Sequence, residues 1–163
     1  MYKIIRFVFA LLFSFSSLSG CIAAEKEAKQ FSEAQVFTLN DLSGKAVSLS
    51  DYRDKKPVVL IFWTTWCPYC RMALKSLKDS EYVSQSKDFE LLAVNVGESK
   101  SKVENFVKAN GFRFKVLLDL DSQVADSYGL LGVPTYYVIN KSGLIVFEGN
   151  RLQEKRIQEL VSK

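Results

Sequence analysis

The chain has 163 residues, 48% hydrophobic and 25% charged, with a net charge of +4. That is one ordinary globular domain's worth of sequence. All but two of its 22 basic residues lie beyond residue 20, interspersed with 18 acids, so there is no basic face of the kind nucleic acid requires. It contains no histidine, which removes the commonest metal ligand and the commonest general base.

Residues 1–20 open with Lys3 and Arg6 and continue as IIRFVFALLFSF, apolar but too short to span a membrane with normal flanks. This is the pattern of a secretory signal peptide. It ends in Leu18-Ser19-Gly20-Cys21, which resembles the bacterial lipoprotein box, whose cysteine is acylated and becomes the new N-terminus. On that reading the acyl chains hold the protein at a membrane through Cys21, residues 21–34 are a flexible tether, and residues 35–163 are the folded domain. The competing reading is cleavage near Ala23 or Ala24, which leaves a soluble protein. Either way the mature chain is exported, periplasmic or extracytoplasmic. It works where disulfides persist, and its unmodified cysteines are Cys67 and Cys70.

Along the mature chain, Val36, Phe37 and Leu39, then Val47 and Leu49, predict two short strands around a turn at Ser43-Gly44. DYRDKK is a polar connector. PVVLIFW, residues 57–63, is a continuous apolar and largely β-branched run, as expected of a strand buried on both faces. A helix starts at the cysteines, with Leu74 and Leu77 on its inner face. FELLAVNV, residues 89–96, is a second buried strand. SKVENFVKANG is an amphipathic helix, with Val103, Phe106 and Val107 inward and Gly111 as its stop. FKVLLD, residues 114–119, is a third strand. DSQVADSYG is a short helix ending at Gly129. TYYVI (135–139) and LIVFE (144–148), joined by NKSG, form a hairpin. Ile157, Leu160 and Val161 share one face of a last helix. Strands alternating with helices predict an α/β domain, with a mostly parallel sheet, helices on both faces and an antiparallel edge from the closing hairpin.

Cys67 and Cys70 therefore stand at the start of a helix, just past the end of a buried strand, where open α/β sheets form their sites. Three residues apart on one helical turn, the two sulfurs are close enough to form a disulfide. Amides at the helix start favour negative charge on an exposed Cys67, and Pro68 fits the first turn, where its missing N–H costs nothing. Such a pair suits thiol–disulfide exchange: Cys67 attacks, a mixed disulfide forms, and Cys70 resolves it. Other uses of the pair fit less well. A c-type haem site needs a histidine where Arg71 stands. A structural zinc needs four ligands, so no metal is expected. A structural staple across so small a loop gains little. A peroxidatic cysteine is favoured by Thr64 but not by Leu60, which occupies the place of the proline in the peroxiredoxin pattern.

FWTTWCPYC (62–70) and Gly132-Val133-Pro134-Thr135 together resemble the thioredoxin superfamily, and within it the TlpA/ResA/CcmG-like membrane-anchored thiol–disulfide oxidoreductases. The likeness spans about residues 35–163. It implies a thioredoxin-like fold, with a central mixed sheet, helices on both faces, an N-terminal β-hairpin extension and an extra strand–helix unit before a cis-proline. Pro134 would be that proline, facing a redox-active Cys67–Cys70 disulfide that needs no other cofactor. Val133 and Pro134 would pair with an incoming chain, and Trp66, Pro68 and Tyr69 would border it. Trp63, Phe112 and Phe114 are read as core. Arg71 either acts on a thiol or is solvated. The implied partners are cysteine-containing exported proteins, apocytochrome c among them, and a membrane thiol electron donor. The implied direction is reduction. A general oxidant or isomerase, and a binding module or chaperone with a silent dithiol, are the alternatives. Two departures leave the proton route open: Ile61 stands where thioredoxin has a buried acid, and Ala73 where ResA-like proteins often have one.

Overall fold

A computed structural model describes residues 32–162. Residues 1–20, Cys21 and most of the predicted tether lie outside the described residues. The element order is β1 (Thr38–Asp41), β2 (Ala46–Ser48), a 3-10 turn (Leu49–Tyr52), β3 (Val58–Trp63), α1 (Pro68–Asp79), α2 (Glu81–Gln85), β4 (Glu90–Val96), α3 (Lys100–Asn110), β5 (Lys115–Asp119), α4 (Gln123–Ser127), β6 (Thr135–Ile139), β7 (Ile145–Gly149) and α5 (Glu154–Val161).

One seven-stranded sheet runs in the order β2-β1-β5-β4-β3-β6-β7. The mostly parallel sheet predicted from strand–helix alternation is corrected here. Only β3, β4 and β5 are mutually parallel, and every other pairing is antiparallel. Alternation identifies the two crossovers through α1 and α3, which force parallel neighbours. It says nothing of β1, which pairs with β5 from far along the chain, or of β6, which returns beside β3. The result is the mixed sheet of the thioredoxin-like fold.

β3 is buried at all six positions, as a two-sided apolar run requires. Its residues divide between two cores. Val59, Ile61 and Trp63 face α1, α3 and α5, meeting Leu74, Leu77, Val103 and Ile157. Val58, Leu60 and Phe62 face the N-terminal segment and α4, meeting Phe37, Val124 and Tyr137. Trp63, Phe112 and Phe114 are core or core-flanking residues, as predicted. The folded part already includes Ser32–Ala34, at the end of the predicted tether. Ile145 N–H donates to Ser32 O at 2.8 Å, Ala34 N–H donates to Gly143 O at 2.9 Å, and Ala34 is buried. Among the described residues no helix is long and apolar enough to cross a membrane.

Candidate active site

β3 ends at Trp63, and the next three residues carry the chain off the carboxyl edge of the sheet into α1. Cys67 is the N-cap of α1, with extended backbone, and Pro68 occupies the first helical position. The cap geometry puts a helix-start amide on the sulfur: Cys70 N–H donates to Cys67 Sγ at 3.3 Å. Both thiols are free. They therefore stand as a reduced pair on one turn of helix.

The predicted exposure of Cys67 is corrected: only 4% of it is accessible, and Cys70 is wholly buried. The cover comes from a distant part of the chain. The Val133–Pro134 peptide is cis, as the thioredoxin resemblance implies, and the Cys67 thiol donates to Val133 O at 3.5 Å. Val133 and Pro134 thus lie against the dithiol. Burial pushes the Cys70 thiol up to about 12, and its hydrogen-bonded neighbour Cys67 pushes the same way, against partial relief from the Thr64 amide. A charged sulfur there has lost its water without gaining a cation. Cys70 is a neutral thiol at physiological pH.

The other predicted site residues divide in two. Trp66 and Tyr69 are exposed beside the dithiol, at 63% and 69%, and Pro68 is exposed with them. Met72 and Leu131, which the sequence does not single out, are exposed too. A cleft of about 1060 Å³ passes Tyr69, Met72, Leu131, Val133, Pro134 and Tyr136. Large apolar side chains left in water beside a reactive pair are suited to receive a polypeptide. Arg71 Nε donates to Thr65 O at 2.8 Å and its guanidinium lies 5.9 Å from the centre of the Phe106 ring, while the residue stays exposed to solvent.

One buried group was missed altogether. Glu98 is 7% exposed, and its carboxylate accepts from Thr65 N–H and Thr65 Oγ1–H, both at 2.7 Å, and from Asn95 Nδ2 at 2.8 Å. Lys102 Nζ lies 2.7 Å from Oε1. Burial opposes its ionisation, but the hydrogen bonds from Asn95, Lys102 and Thr65 outweigh it and hold the carboxyl down at about 2. Glu98 is carried there by Gly97, whose φ of +68° lets the chain turn back at the end of β4. The available signal was its place, two residues past a strand whose carboxyl end lies beside that of β3.

The model of the AhpC/TSA family matches residues 21–148 of the chain. The thiol-disulfide oxidoreductase ResA of Bacillus subtilis strain 168 is 39% identical over 128 residues, covering 78% of this chain and 71% of that protein. The crystal structure of StoA from Bacillus subtilis superposes with a TM-score of 0.67 and 25% identity, over 78% of this chain and 96% of that one. The exposed lipoprotein thioredoxin Etrx1 of Streptococcus pneumoniae strain TIGR4 gives 0.68 and 28%, over 79% of this chain and all of that one (100%).

Proposed function

This chain belongs to the AhpC/TSA family of thioredoxin-fold proteins and is a thiol–disulfide oxidoreductase, and we propose that it works outside the cytoplasm as a reductant held at a membrane by lipid. Cys67 and Cys70 are the reacting pair. The Cys67 thiolate attacks one sulfur of a client disulfide, forming a mixed disulfide and releasing a client thiolate. Cys70, once deprotonated, attacks Cys67 Sγ, closing the internal disulfide and releasing the second client thiol. Two electrons pass to the client, and a membrane thiol donor restores the dithiol. Trp66, Pro68 and Tyr69 border the client, and the backbone at Val133 and Pro134 pairs with it as an added strand.

The observation that carries this reading is the asymmetry of the pair. Cys67 receives the Cys70 amide at a helix start, while Cys70 is buried and neutral. The direction, reduction, is carried over from the family resemblance. The peroxidatic alternative would need the Thr64 hydroxyl on the Cys67 sulfur, but Thr64 Oγ1 is buried and has no hydrogen-bond partner. The signal peptide over residues 1–20, lipidated Cys21 and tether complete the reading. They agree with an exposed lipoprotein among the similar structures. The proposed clients are exported proteins with oxidised cysteine pairs, and apocytochrome c before haem attachment is the narrow case.

Expression of the Cys70→Ser chain in its host tests the client. Mixed disulfides on Cys67 enriched in apocytochromes are expected. Capture of a broad set of unrelated secreted proteins would instead overturn the apocytochrome reading.

A further inference from the structure

We infer that Glu98 is the positioning residue of the dithiol: its carboxylate fixes Thr65, two residues before Cys67, and thereby sets where the Cys67 sulfur stands. The inference rests on the reading of Cys67 as the attacking thiol.

Thr65 is held at every polar atom it has. Its N–H and Oγ1–H both go to Glu98, at 2.7 Å each, and its carbonyl accepts from Arg71 Nε at 2.8 Å. Glu98 is itself braced by Asn95, whose Nδ2 also donates to Trp63 O at 3.4 Å, and by Lys102. These bonds tie the end of β4 and the start of α3 to the three-residue loop that delivers Cys67 to its cap position. The loop has few restraints besides these. Thr64 Oγ1 makes no hydrogen bond, and the Trp66 side chain stands in solvent. The sulfur's contacts at 3.3 Å to the Cys70 amide and 3.5 Å to Val133 O come from two different segments, so a shift of Thr65 moves the sulfur against both. With its carboxyl held at about 2, Glu98 keeps its negative charge and four acceptor positions throughout the working pH range. A neutral residue would not hold both Thr65 donors, Asn95 and Lys102 together.

The test uses the full chain carrying Cys21→Ser and Cys70→Ser, so that Cys67 is the one thiol. Its reaction with the aromatic disulfide DTNB is followed across pH. Cys67 attacks one sulfur, and the coloured aryl thiolate leaves. In this background Glu98→Ala is expected to slow the reaction about tenfold, the scale of a small misplacement of a reacting atom, and to change its pH profile. Glu98→Gln, which keeps one acceptor oxygen for Thr65, recovers part of the rate. Should Glu98→Ala not fold, Thr65→Val removes only the Oγ1 bond and is expected to slow the reaction by a smaller factor. A Glu98→Ala chain with the parent's rate and profile overturns the inference. So do Ala and Gln variants that lose rate equally and in step with melting temperature, or an unchanged rate for Thr65→Val. An inert parent would instead sink the attacking role of Cys67 on which the inference stands.

Discussion

At the scale of single residues, the site works through a contrast between two sulfurs made by the same backbone. Cys67 caps the helix and is met by an amide; Cys70 sits one turn later inside the core. The consequence for pH follows from sign. The Cys70 thiol ionises near 9.0 when free and at about 12 in the fold, so the folded state keeps a proton that the unfolded chain gives up. Its contribution to stability is complete below about pH 9 and is lost as pH rises toward 12. In a Cys67→Ser chain, alkylation of Cys70 by iodoacetamide is therefore expected to stay slow through neutral pH and to accelerate only in strong alkali. Rapid alkylation at pH 8 would contradict it. During turnover, something must take this proton after the client has bound. Neither Ile61, wholly buried, nor Ala73 can do so. The departing client thiolate, formed beside Cys70 in the mixed disulfide, is a base the reaction itself supplies.

At the scale of elements, what could be read from the sequence was what local pattern dictates. PVVLIFW became β3 because a strand covered on both faces carries no polar alternation. SKVENFVKANG became α3, ended by Gly111 at φ +63°. That end is testable: a Cβ at Gly111 meets nothing closer than Lys78 Nζ at 3.5 Å, so Gly111→Ala isolates backbone strain. A cost of roughly 1–2 kcal/mol is expected, read as a melting point lower by a few degrees. An unchanged melting point would mean that the helix end relaxes. α2 was not predicted, because five residues with one buried apolar side chain, Val83, show no periodicity. The site divides along the same line. CPYC and the Gly132–Thr135 turn announce themselves by residue type and spacing. The burial of Cys67 depends on Val133, and the grip on Thr65 depends on Glu98; both are contacts between segments remote in sequence. Arg71 is exposed, as its solvated reading had it, but its contacts with Thr65 O and with Phe106 on another helix were not legible in the sequence.

At the scale of the whole molecule, the sheet has two ends with different duties. The dithiol lies past Trp63, at the carboxyl end of β3. The described chain enters at the other end, where Ser32 and Ala34 bind the turn that joins β6 to β7, and Ile139 of β6 pairs with Val58 at the start of β3. Six residues of strand, roughly 20 Å, separate the two ends. A lipid at Cys21 would thus tether the domain by its base and leave Cys67, Trp66 and the adjoining cleft free to meet large clients. All of this presumes that Cys67 attacks first and Cys70 finishes. The most direct measurement is intact mass of the full Cys21→Ser chain after mixing with a disulfide-bonded peptide. The chain with both site cysteines should end as an internal disulfide, lighter by two hydrogens. The same chain with Cys70→Ser should hold the peptide on Cys67, and with Cys67→Ser it should remain almost unmodified. A peptide held by Cys70 as readily as by Cys67 would contradict the account.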